Sequence, residues 1–264
     1  MEATEPGIET PPVAEAPRRL PFVGAANFRD LGGYPTSDGR QTRWGRAYRA
    51  DALHRFTPAD LDAFERLGCR TVLDLRGDAE RERYPDPFPS IHLPLITRRS
   101  EGADETRAAL ARFRDAASGE SALRELYGSI LADGHSILGR LVTALAEPGA
   151  LPAVFHCTAG KDRTGLSAAL LLELLDVPRS VVLDDFELTA MYWHSQVDSE
   201  PLENLVALGM GPEAAAALMG APRWTMKETL DELDEVYGGV RAYLTRTAGV
   251  SPDALDRLRS ELVA

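Results

Sequence analysis

The chain has 264 residues, 44% of them hydrophobic and 27% charged, with a formal net charge of −12. This supplies a sizeable core and one or two domains, and no compositional sign of disorder across the whole chain. So acidic a protein does not attract nucleic acid or an anionic membrane by its overall field, so any anion it binds must be captured locally. No apolar run approaches the ~20 residues that span a bilayer. The longest, 166–175, is interrupted by Ser167 and Glu173.

Residues 1–20 are acidic and Pro-rich and read as a flexible tail. They lack the basic start and apolar stretch of a secretory signal. A cytoplasmic location fits, and export without a cleaved signal stays open. The two cysteines, Cys69 and Cys157, form no disulfide framework, which suits a reducing compartment.

Asp38-Gly39 marks a hairpin turn between short strands, the second carrying Trp44, Ala47 and Tyr48. Thr57-Pro58-Ala59-Asp60 opens a helix with an N-cap, a proline at the first position and an acid in the first turn. Leu61, Phe64 and Leu67 give it an apolar stripe, and Gly68 ends it. Strands are expected over 70–76 and, more briefly, 91–95. Helices are expected over 104–117 and 121–146, the latter stopped by Glu147-Pro148-Gly149. A strand at 152–157 leads through a loop into a helix from about Thr164 to Leu175. Further helices are expected at 180–193, 226–237, 239–247 and 252–262, with an irregular stretch at 194–223. Strands alternating with helices predict a single α/β domain, residues 21–264, with a parallel-rich sheet flanked by helices. Working residues gather at the carboxyl ends of such strands. Cys157, Asp74 and Arg76 all fall there.

The string HCTAGKDRTG, residues 156–165, carries the chemistry. Thr158, Ala159 and Gly160 are small enough for a tight curl whose N–H groups converge on an anion. The following helix adds its N-terminal N–H groups and positive dipole end. Arg163 brings a planar fork for two phosphate oxygens. Lys161 is one of only two lysines among 29 basic residues, and with Asp162 it completes the expected phosphate-binding loop. A field that holds phosphate also favours a thiolate, so Cys157 is the expected nucleophile, forming a cysteinyl-phosphate.

The leaving oxygen needs a proton. Asp162 is the first candidate, because an acid in an anion loop opposes binding unless it donates. Asp74 is its rival, with an alternative role in fixing the loop or Arg163. Thr164 either donates to the sulfur or simply starts the helix. His156 should point away from Cys157, since side chains alternate along a strand. Cys69 reads as packing. A nucleotide P-loop fails, because Phe155 stands where its first glycine belongs and Asp162 where Ser or Thr follows the lysine. Cys-based zinc spacing is absent, and no cofactor is expected.

Cys157 and Arg163 form a C-x5-R pair, and here the sequence resembles the cysteine-dependent protein tyrosine phosphatases. More narrowly, it is similar to a bacterial tyrosine/serine protein phosphatase family. Asn27-Phe28-Arg29-Asp30-Leu31-Gly32-Gly33, Tyr48-Arg49-Ala50-Asp51-Ala52-Leu53, Val72-Leu73-Asp74-Leu75-Arg76 and Tyr237-Gly238-Gly239 extend the likeness over residues 20–264. The resemblance implies a phosphotyrosine-phosphatase-like fold, with Cys157 as nucleophile, Arg163 as phosphate binder and Asp162 as acid. It also implies a helical lid, expected at 188–223. There is no W-P-D tripeptide, the acid loop of the classical tyrosine phosphatases. The leading expectation is a metal-independent phosphomonoesterase acting on phosphotyrosine, and on phosphoserine/threonine as well, in proteins or peptides. The alternatives are the same chemistry on a phosphoinositide or small phosphorylated metabolite, and a phosphate-binding module without turnover.

Overall fold

The computed structural model describes residues 18–95, 103–193 and 200–264. Strands β1 (Arg29–Asp30), β2 (Ala47–Ala50), β3 (Thr71–Asp74), β4 (Ile91–His92) and β5 (Ala153–His156) form one sheet in the order β1-β2-β5-β3-β4. Only β1 runs antiparallel to its neighbour. β5 is therefore central, and its carboxyl end delivers Cys157. The expected α/β class and parallel-rich sheet are met.

Alternation along the strands builds two cores. Tyr48, Ala50, Val72 and Val154 face an aromatic cluster of Phe22, Phe28 and Phe64. Ala47, Leu73, Ala153 and Phe155 face the larger core of helical side chains. On the aromatic side lies α1 (Pro58–Leu67), with its Thr57 cap and Gly68 end as expected and with Asp60 closing a capping box back to Thr57.

Helix α2 (Asp78–Arg83) follows β3, and α3 (Ala103–Leu110), α4 (Ala116–Asp133) and α5 (His135–Ala146) follow β4. The expected single helix over 121–146 is thus two. Asp115 and Ser118 form a capping box that starts α4 early, and the chain breaks at Gly134. Helix α6 (Asp162–Leu174) leaves the loop, followed by α7 (Arg179–Trp193). The stretch expected to be irregular holds α8 (Glu200–Ala207) and α9 (Pro212–Met219). Their pattern is hard to read because each is only two turns long and half of α9 is alanine. Gly119 admits α9 onto α4: a Cβ there would lie 2.3 Å from the Ala214 carbonyl oxygen. Helices α10 (Arg223–Tyr237), α11 (Val240–Ala242), a π-turn at Tyr243–Thr247 and α12 (Pro252–Leu262) close the fold.

The expected tail reaches residue 20, but Arg18 is already part of the fold. It is buried, donates to the Asp30 and Gly32 carbonyls and covers the Tyr34 ring. Residues 1–17 lie outside the described residues. Among the described residues, no helix is long and apolar enough to cross a membrane.

Candidate active site

The loop after β5 is supported from behind by a buried polar network. Gly160 adopts φ +65°, and a Cβ there would lie 2.7 Å from the Ala50 carbonyl oxygen. Only glycine lets the loop press against the end of β2. The Asn27 amide donates to the Gly160 carbonyl at 3.0 Å, and Arg49 Nη2 donates to it at 2.8 Å. Arg49 Nη1 and Arg29 Nε each donate to Asp185 of α7, at 2.6 and 3.0 Å. Burial raises the Asp185 carboxyl, but the two guanidiniums overcome it and hold the group well below the usual carboxylate range. Asp51 accepts the Ala26 and Asn27 N–H groups, both at 3.0 Å. These residues account for the strings at 27–33 and 48–53, to which sequence reading gave no task. An arginine inside an otherwise apolar strand, as at Arg49, was the available signal.

Cys157 is buried at the base of the loop. Lys161 is the N-cap of α6 and provides no side-chain cap. The first N–H groups of the helix are therefore left to an outside acceptor.

Arg163 is held by Glu80, in the first turn of α2. Nη1 donates to Oε2 at 2.7 Å and Nη2 to Oε1 at 2.8 Å. Nη2 also lies 3.4 Å from the Thr158 hydroxyl, which donates to Glu80. Among the described residues, Nε of Arg163 makes no hydrogen bond, so one edge of the fork remains for a ligand. Burial lowers the ionisation of Arg163, but the Cys157 sulfur and Glu80 outweigh it and raise it further. Glu80 sits in a polar run, DAERER, with no periodic pattern to single it out.

Asp162 stands in the first turn of α6. Its Oδ1 accepts from the Tyr127 hydroxyl at 2.9 Å and lies 3.3 Å from Lys161 Nζ. The Lys161 side chain is not open to the loop. It is buried, and Nζ donates to the carbonyls of Leu218 and Gly220 at 2.7 and 2.8 Å, at the carboxyl end of α9. Thr164 is buried with its hydroxyl unpartnered among the described residues, and makes no hydrogen bond to the Cys157 sulfur.

Asp74 and Arg76 belong to a neighbouring cluster. Asp74 pairs in register with His156, so both project to the side of Val72 and Val154. Cys157 packs on the opposite side. Arg76 donates to both Asp74 oxygens, at 3.0 and 2.9 Å, and Arg81 Nε lies 3.1 Å away. Burial raises the Asp74 carboxyl, but Arg76 and His156 lower it overall. Arg76 also holds Asp86, whose Oδ2 is 3.2 Å from His156 Nε2. Asp74, Asp86 and His156 bring ligand atoms within 4.8 Å of one another. Two guanidiniums already balance the two carboxylates, so the cluster is an ion-pair network with no spare charge for a cation.

A cysteine at a strand end, an uncapped helix start and a pinned arginine form a loop whose N–H groups and guanidinium can take an oxyanion beside the sulfur. The chain belongs to the tyrosine phosphatase family, whose model matches residues 20–264. It is 29% identical over 232 residues to a Cupriavidus necator protein named provisionally as a tyrosine-protein phosphatase, covering 85% of this chain and 82% of that one. It is 28% identical over 284 residues to the triple specificity protein phosphatase PtpB of Mycobacterium tuberculosis, covering 94% and 99%. It is 29% identical over 221 residues to a tyrosine-protein phosphatase of Nostoc commune, covering 81% and 73%. The family expected from the loop string is the family found.

Proposed function

We propose that the protein hydrolyses phosphotyrosine through a cysteinyl-phosphate, with Cys157 as nucleophile, Arg163 as phosphate binder and Asp162 as acid and then base. The observation that carries this is the juxtaposition of the Cys157 loop, the uncapped start of α6 and the free edge of Arg163. Phosphate oxygens take the loop and helix N–H groups and Nε of Arg163. The Cys157 sulfur attacks phosphorus; the S–P bond forms as the bond to the leaving oxygen breaks, and that oxygen takes a proton from Asp162. Water then attacks phosphorus and gives its proton to the Asp162 carboxylate. The S–P bond breaks, phosphate leaves and the thiolate is restored.

Asp74 is poorly suited to the acid role, because its charge is taken up by two arginines and it faces the other side of the sheet. Arg76 serves Asp74 and Asp86 rather than substrate. The main chain of Thr158, Ala159, Gly160 and Lys161 forms the cradle, and the Lys161 ammonium ties it to α9. The cover is assigned to residues 188–223, of which 194–199 lie outside the described residues; its helix α9 is attached through that ammonium and through α4.

Phosphate release from an aryl phosphate in EDTA, wild type against Cys157→Ser, tests the mechanism. Turnover should vanish in the variant; unchanged turnover would show that Cys157 is not the nucleophile. Peptides carrying phosphotyrosine, phosphoserine and phosphothreonine then rank the substrates. The mycobacterial relative is named a triple specificity protein phosphatase, which supports testing more than phosphotyrosine, and serine and threonine are part of this reading. Phosphoinositide vesicles complete the panel. They should be poor substrates while the Lys161 ammonium is occupied by Leu218 and Gly220.

A further inference from the structure

We propose that Tyr127 is a positioning residue for Asp162: its hydroxyl fixes Oδ1 and leaves Oδ2 to exchange the proton. This rests on the reading of Asp162 as the acid and base.

Asp162 is the first residue of α6, and within its own loop the one side chain recorded against its carboxylate is that of Lys161. Tyr127 arrives from a different element. α4 presents it on the face that buries Leu123, Ile130 and Leu131. Its ring is 0% exposed, so no water competes for the hydroxyl. Phe186 meets the ring edge-on, at 6.2 Å between centroids and 85° between planes, which limits where the hydroxyl can go. That hydroxyl is 2.9 Å from Asp162 Oδ1.

The donor direction is defined. Burial, and then the Asp162 charge, push the Tyr127 phenol well above its ordinary value, so it keeps its proton and donates. Lys161 Nζ approaches the same oxygen, at 3.3 Å. Both contacts fall on Oδ1, and among the described residues none falls on Oδ2. The two oxygens are thereby made unequal: one is anchored, and the other carries the transferable proton. A phenylalanine would pack as well here, so the hydroxyl is the informative atom. Alignment matters because a misplacement of about 1 Å costs about 10²-fold in rate.

The test is Tyr127→Phe in the full chain, with phenyl phosphate and p-nitrophenyl phosphate as substrates. The phenolate needs the proton more than the nitrophenolate. We expect kcat/KM to fall about tenfold on phenyl phosphate and less than about twofold on the nitrophenyl ester. Inhibition by inorganic phosphate should be unchanged, showing an intact cradle. In an Asp162→Asn background, Tyr127→Phe should add nothing. Phe186→Leu, which loosens the ring but spares the hydroxyl, should not reproduce the leaving-group dependence.

Equal losses on both esters, an additive loss in the Asp162→Asn background, or the same signature from Phe186→Leu would each overturn the positioning role. If Asp162→Asn shows leaving-group dependence and Tyr127→Phe does not, only the role of Tyr127 fails. If Asp162→Asn shows none, the acid assignment itself fails, and the role of Tyr127 with it.

Discussion

Glu80 meets Arg163 fork to fork, with Nη1 2.7 Å from Oε2 and Nη2 2.8 Å from Oε1. The pair fixes the plane of the guanidinium before any ligand arrives. Its cost is a carboxylate beside the proposed anion site, which the arginine charge offsets. Glu80→Gln should therefore leave the cradle standing but loosen the fork. We expect the inhibition constant of inorganic phosphate to rise about tenfold, since a charge-assisted bidentate contact is replaced by a weaker neutral one. No change would mean that Glu80 is not what orients Arg163.

The same pair makes a pH prediction. Burial raises the Glu80 carboxyl, but Arg163 and Thr158 outweigh it and hold it at about 2, below the ordinary 4.5. A group depressed in the folded state stabilises the fold above its unfolded value. That contribution is lost as pH falls through the folded value. Melting temperature should thus drop between about pH 4.5 and about pH 2, and Glu80→Gln should flatten that part of the curve. Glu80 is 37% exposed, so solvent screening keeps the effect modest. An identical acid limb in both proteins would exclude Glu80 as a source.

Gly160 and Gly128 should respond in opposite ways to alanine. At Gly160, φ is +65° and the new Cβ would sit 2.7 Å from backbone atoms of Ala50 and Asp51. Gly160→Ala should destabilise by about 1–3 kcal/mol and displace the loop, with activity falling out of proportion to stability. Gly128 lies inside α4 with nothing within 4 Å of the added carbon. Gly128→Ala should stabilise by about 0.5–1 kcal/mol and leave turnover alone. Thermal melts and steady-state rates on the two variants check both; a functional Gly160→Ala enzyme would show that the loop does not need this close approach.

The contrast between these glycines shows what the sequence could and could not convey. The strand, the loop and the start of α6 were legible because their signals are local: an apolar run, small residues, then a helical period. So was α1, from its cap, proline and terminal glycine. The supports of the loop were not legible. Arg49, Asp185, Asn27 and Glu80 join it through contacts that each span 83 or more residues, and no local pattern states such a partnership. Tyr127 fell only within the helix expected over 121–146, because spacing reports which face is buried and not what a hydroxyl touches. Lys161 was expected to face phosphate. Its actual partners belong to α9, a helix whose alanines gave no period to follow.

Asp74→Asn separates a supporting acid from a proton donor. Asp74 is buried against Arg76, with Arg81 beside it. Removing its charge leaves Arg76 with Asp86 alone, and breaking such a buried pair costs about 3–5 kcal/mol. We expect a large fall in melting temperature. Among molecules that remain folded, the rate ratio between phenyl and nitrophenyl esters should match wild type. A changed ratio would return Asp74 to the acid role.

Lys161→Met tests whether the ammonium belongs to α9 or to phosphate. Nζ donates to the Leu218 and Gly220 carbonyls, where a cation also meets the negative end of the α9 dipole. Methionine fills the stem's volume but leaves two carbonyls without their donor, each worth about 1–3 kcal/mol where water cannot reach. Amide hydrogen exchange should accelerate in α9 while α4 stays protected. The Gly119–Ala214 approach still holds α9 in place, so the helix should loosen rather than detach. Inhibition by inorganic phosphate should change less than about threefold, because the ammonium is not in the cradle. The opposite pattern, unchanged exchange with a large loss of phosphate affinity, would mean that Lys161 turns inward and grips the anion. The cover and the loop would then be mechanically independent.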